Sequence, residues 1–277
     1  MNLKNLGKVY TLDSENNFDL QKDKKLSEDV MNFVNIILDY FRKVVCIEIH
    51  SAYLRGSCLE ENKISRNTLD IDMMIVCGNE FSSSWGCLTA ECVDDIMEIM
   101  KSTYGFAVYP DILVYRIDHF LRQTQIRFIC KKVYGEEDLS ISKMSQSEML
   151  DWVDGNYDLW VDQCKEHVEK VLYFHTYKSR YRFNHVNLRS AIKCFFRNLS
   201  IRLFVENGQY TKSLYNCYNM MLEYHPNHRN DLDDIMNLFL HSEEYSKEKI
   251  VEDLNKILSF LESVHPKKPY CIKIAHR

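Results

Sequence analysis

The spacing of apolar residues changes partway along the chain, and that change constrains the fold more than any other feature. Up to about residue 140, short runs rich in β-branched and aromatic residues alternate with stretches of helical spacing. Beyond Ser145 nearly every segment follows the 3–4 spacing of a helix. Strands are expected within VVCIEIHSAYLRGSCL (44–59), TLDIDMMIVC (68–77), GFAVYPDILVYRI (105–117) and IRFICKKVYG (126–135), with a short one at Val9-Tyr10-Thr11-Leu12. Val30, Phe33, Val34, Ile37, Leu38 and Phe41 mark a first helix, which Ser27 caps ahead of the acidic Glu28 and Asp29. Further helices are expected at 91–103, 145–177, 186–206, 211–224, 229–241 and 245–264. The expected fold is therefore α/β (α+β): a mixed sheet with helices over 1–140, followed by a helical bundle over 141–277.

Composition agrees with this division. A chain of 277 residues suits one large or two modest domains, and 8 Gly with 4 Pro is too few for a turn-rich all-β protein. With 45% hydrophobic and 27% charged residues the chain is globular rather than disordered. The net charge of −5 gives no general affinity for nucleic acid. Ten cysteines form no CxxC pair and no zinc-type Cys/His spacing, and several lie in apolar runs, as Cys130 does. They read as reduced, buried thiols of a cytoplasmic protein. No apolar run reaches 18 residues, so no membrane span is expected.

The chemically informative stretch is Leu54-Arg55-Gly56-Ser57, twelve residues, then Asp70-Ile71-Asp72-Met73-Met74-Ile75-Val76. Alternation along a strand puts Asp70 and Asp72 on one face and Ile71, Met73 and Ile75 on the other. Adjacent carboxylates repel unless water or a divalent cation offsets them, and hard Mg²⁺ suits such ligands. Glycine allows a close backbone approach at 56, and the turn with Ser57 can hold a phosphate. Asp111, flanked by apolar residues in Tyr109-Pro110-Asp111-Ile112-Leu113, is the candidate third acid, with Asp118 and Glu80 as alternatives. Pro110 fits a strand start or an edge.

Gly-Ser, a spacer, Asp-x-Asp inside an apolar strand and a later acid on another strand together resemble the signature of the DNA polymerase β-like nucleotidyltransferase superfamily. The resemblance covers about 44–135. Lys132-Val133-Tyr134-Gly135-Glu136-Glu137-Asp138-Leu139 also looks like the end of that domain in the antibiotic-modifying members. Arg202 to Lys212 is similar to a helix-loop-Lys segment that meets nucleotide phosphates in the helical domain of aminoglycoside-type enzymes.

The resemblance implies transfer of a nucleoside monophosphate, by default from ATP, to an acceptor hydroxyl. Asp70 and Asp72 would hold Mg²⁺, and Asp111 would complete the metal site or act as general base. Gly56 and Ser57 would cradle phosphates. Lys212, with the helical face of Arg189 and Lys193, would neutralise pyrophosphate across an interdomain cleft. A small-molecule acceptor, such as an aminoglycoside-like compound, is favoured over a protein or tRNA. A non-catalytic nucleotide-binding protein is the rival from another class. Taken singly, Gly56-Ser57 is also an ordinary turn, and Arg189, Lys193 and Arg197 are also an ordinary solvated helix face.

Overall fold

The structure is a computed structural model. It describes residues 9–15, 17–19, 25–56, 58–59, 62–66, 68, 70–78, 85–87, 90–152, 161–166, 168–169, 185–241 and 245–263. The fold is mixed α/β, with parallel and antiparallel strand pairs in one sheet and the helices largely C-terminal. The chain divides into two compact units, Asp19–Met144 and the combination of Met1–Phe18 with Ser145–Arg277.

In the first unit, α1 (Glu28–Tyr40) starts where expected, with the Val30 N–H donating to the Ser27 hydroxyl. A π-helical turn (Phe41–Val45) continues it and ends at Cys46, whose φ of 57° is left-handed. The apolar VVC run thus closes a helix, and the strand β3 (Ile49–Arg55) begins later than its β-branched composition implied. There follow β4 (Asp70–Cys77), β5 (Trp85–Cys87), α2 (Ala90–Tyr104) and β6 (Tyr109–Arg116). The unit continues through α3 (Ile117–Leu121), α4 (Thr124–Ile129) and β7 (Lys131–Tyr134).

The five strands lie in the order β5-β6-β4-β3-β7. β4 and β6 are parallel, and every other neighbouring pair is antiparallel. On one face Ile71, Met73 and Ile75 pack with Ile112 and Val114 beneath α1 and α2. On the other face Met74 and Val76 pack with Tyr53, Tyr115, Phe120 and Leu139. The central strand is therefore buried on both faces over most of its length, which explains its unbroken apolar run. Pro110 is not on an edge strand. It sits next to the start of β6, where β5 pairs only with Leu113–Tyr115 and requires no N–H from it.

One expected strand is instead a helix followed by a strand. Residues 126–129 lie in α4, and only Lys131–Tyr134 extend. Arg127 explains the turn: its guanidinium donates to the Leu139 carbonyl at 2.6 Å and to the Leu121 carbonyl at 3.0 Å. Short apolar runs do not by themselves distinguish helix from strand.

The second unit centres on α5 (His185–Asn207). Around it pack α6 (Leu214–Tyr224), α7 (Arg229–His241) and α8 (Lys247–Ser263). α5 is buried nearly all round, including Ala191, Cys194, Phe196, Ser200, Ile201 and Phe204 besides the expected apolar face. Residues 146–152 and 161–166 are also helical. The rest of the expected helix over 145–177 lies partly outside the described residues.

The N-terminal segment groups with this helical unit rather than with the sheet. The strand β1 (Val9–Thr11) pairs antiparallel with β9 (Gln209–Thr211), and Phe18 packs 5.2 Å from Phe204. The expected boundary near 140 lies close to the observed division after Met144. The short strands β2 (Asn17–Asp19) and β8 (Lys143–Ser145) lie at the two points where the chain passes from one unit to the other. Among the described residues no helix is long and apolar enough to cross a membrane.

Candidate active site

Register brings the acids together. Asp70 and Asp72 open β4 on one face, and the parallel neighbour β6 sets Asp111 directly beside Asp72 and Tyr109 beside Asp70. On the other side the antiparallel strand β3 sets Arg55 beside Asp72. Asp72 thus has a carboxylate on one flank and a guanidinium on the other. The Arg55 Nη2 to Asp72 Oδ1 distance is 3.7 Å, beyond hydrogen-bonding range, so charge alone holds the pair.

Gly56 follows Arg55 with φ +80°, in the left-handed region. A Cβ there would lie 1.9 Å from Asp72 Oδ2. The close approach expected at Gly56 is real, and the group that fills it is the Asp72 carboxylate. Ser57 lies outside the described residues.

The acid cluster carries uncompensated charge. Burial pushes the Asp72 carboxyl up to about 6 from its ordinary 3.8; Arg55 opposes that rise, while Asp70 and Asp111 reinforce it. Asp111 is also within side-chain hydrogen-bonding reach of Asp72. The buried Cys58 thiol is pushed up to about 12, by burial first and by Asp72 and Asp70 in addition, and donates to the Arg55 carbonyl. It stays protonated at neutral pH and is no nucleophile.

Of the alternatives for the third acid, Asp118 is engaged by Arg116 through two bonds of 3.0 and 2.9 Å. Glu80 lies outside the described residues. The helical unit carries the other expected site residues. Lys193 is exposed on α5, as is Arg197, whose side chain bonds Cys194. Arg189 lies on the same helix, with its side chain outside the described residues. Lys212 is exposed between β9 and Ser213, the N-cap of α6.

Among the described residues no group of three or more His, Cys, Asp or Glu side chains is arranged to hold a metal ion by itself. The acids of β4 and β6 nonetheless suit Mg²⁺ as it is usually bound, through one or two carboxylates, with water and substrate phosphate supplying the rest. The placement of the three acids is the structural sign of that fit: Asp111 lies beside Asp72 in register, Asp70 is on the same strand face, and Arg55 is the one cation paired with them among the described residues.

Sequence reasoning missed Arg55 as part of this cluster. Its signal lay in the hairpin: a strand ending at Gly56 and returning antiparallel from Asp70 sets the residue before the glycine beside one of the acids. Compared with known protein families and with curated proteins, the chain matches none.

Proposed function

We propose that the chain is a Mg²⁺-dependent nucleotidyltransferase of the DNA polymerase β-like type, transferring a nucleoside monophosphate from a nucleoside triphosphate, ATP by default, to an acceptor hydroxyl. The observation that carries this is the register of β4 and β6, which gathers Asp70, Asp72 and Asp111 at one place on the sheet. Paired strands that concentrate like charge at their starts have an electrostatic cost, and a cationic ligand offsets it.

In this proposal Asp70 and Asp72 hold Mg²⁺, which when bound supplies charge neutralisation at the triphosphate. Asp111 takes the proton of the acceptor hydroxyl as its oxygen bonds to the α-phosphorus. The bond from the α-phosphorus to the bridging oxygen breaks, and pyrophosphate leaves. Gly56 keeps the backbone against Asp72 and so fixes the carboxylate, while Ser57 supplies a phosphate contact. A hydroxyl-rich, cationic small molecule is the favoured acceptor, because the exposed aromatic ring of Tyr109 lies beside Asp70 in register. A cytoplasmic setting belongs to the same proposal, supported by the reduced, buried thiols of Cys58, Cys164, Cys194 and Cys217.

The test is pyrophosphate release from each nucleoside triphosphate with Mg²⁺ and a panel of aminoglycoside-like, tRNA and protein acceptors. Release with one acceptor class, lost in the Asp70→Asn/Asp72→Asn variant, is the expected result. Equal release by the wild type and the double variant would refute the proposal.

A further inference from the structure

Among the described residues no hydrogen bond holds the Arg55 side chain in place beside the acids of the candidate site. Its guanidinium reaches to 3.7 Å from Asp72, and its side chain is about one quarter exposed, at 26%. A divalent cation on Asp72 and a guanidinium beside the same carboxylate repel each other. A planar guanidinium has donors that match phosphate oxygens better than they match a carboxylate already bound to metal. Arg55 is also the last residue of β3, next to the left-handed Gly56, so its side chain lies where the turn toward the candidate phosphate cradle begins.

We propose that Arg55 is the cation that Asp72 exchanges for a divalent metal: the guanidinium pairs with the carboxylate while no metal is bound, and moves to the triphosphate when metal and nucleotide arrive together. The inference rests on the metal–nucleotide function proposed above. It makes Arg55 a positioning residue for Asp72 and a phosphate ligand in the loaded site. Its consequence is that metal alone binds weakly, while metal and nucleotide assist each other.

The test uses the full chain, with Mn²⁺ followed by the loss of its free-ion resonance signal, with and without a non-hydrolysable ATP analogue. Arg55→Gln should bind Mn²⁺ alone about fivefold more tightly, the scale of one partly exposed ion pair. It should bind the analogue at saturating Mn²⁺ about tenfold more weakly, the scale of one charge-assisted hydrogen bond. Arg55→Lys keeps the charge and should return Mn²⁺ affinity toward wild type. A purely structural role would weaken both ligands together. Unchanged or weaker Mn²⁺ binding by Arg55→Gln therefore overturns the exchange. In the wild type, the Arg55 Nε–H resonance should shift on adding Mg²⁺ with the analogue, and a resonance that does not move overturns it as well, whether or not the variant folds. Asp72→Asn separates the two proposals. Loss of Mn²⁺ binding in Asp72→Asn with no gain in Arg55→Gln removes the exchange and leaves the metal site, whereas full Mn²⁺ binding by Asp72→Asn removes the metal site itself.

Discussion

Gly56 and Asp72 form the tightest constraint at the residue scale. A side chain at 56 is strained at φ +80°, and its Cβ would push the Asp72 carboxylate out of place. Gly56→Ala should cost about 1–2 kcal/mol for the left-handed backbone alone, with more for the clash, measured by denaturant unfolding. Asp72 makes stability depend on pH. Its folded value of about 6 lies above the ordinary 3.8, so the folded chain binds more protons between those limits and stability falls as pH rises through them. Without metal, Asp72→Asn should be more stable than wild type by about 1–3 kcal/mol at pH 8, a figure that already includes the opposing attraction of Arg55. The gain should shrink below pH 6 and vanish near pH 4, as thermal melts in a chelator would show. Asp70, Asp72 and Asp111 were legible in the sequence because an acid inside an apolar strand needs a reason. Arg55 was not, because the side chain beside an acid depends on strand register, which one strand's pattern does not contain.

At the scale of elements, the first helix, its Ser27 cap and the strands carrying the acids could be read from periodicity and capping chemistry. The helix Thr124–Ile129 could not, since the bonds Arg127 makes to Leu139 and Leu121 come from outside its own run. The segment after β7 is tied down in the same way. The Leu139 N–H donates at 2.8 Å to the hydroxyl of Tyr53, which is buried on β3 and stacks 4.8 Å from Phe120. Tyr53→Phe keeps the packing and leaves that buried N–H unpaired, so it should cost about 1–3 kcal/mol in chemical denaturation. A loss near zero would mean that the segment finds another partner. Gly135 belongs to this junction too: its φ is +102°, and a Cβ would meet the His50 carbonyl at 2.5 Å.

For the whole molecule, the periodicity of the sequence changes near residue 140, and the chain divides into two compact units after Met144. It could not assign the N-terminal segment, because three residues of strand carry no record of a partner about two hundred positions away. Phe18 shows the consequence, being fully buried against Phe204 in the helical unit. Phe18→Ala should destabilise that unit by about 3–5 kcal/mol, read as an earlier loss of helical circular dichroism in denaturant. The central claim is that the acids of β4 and β6 form a metal–nucleotide site, and calorimetric titration of a non-hydrolysable ATP analogue into the full chain tests it most directly. Binding that requires Mg²⁺, disappears in chelator and is lost in Asp70→Asn/Asp72→Asn is the predicted result. Binding of equal strength with and without Mg²⁺, or in the double variant, would contradict it.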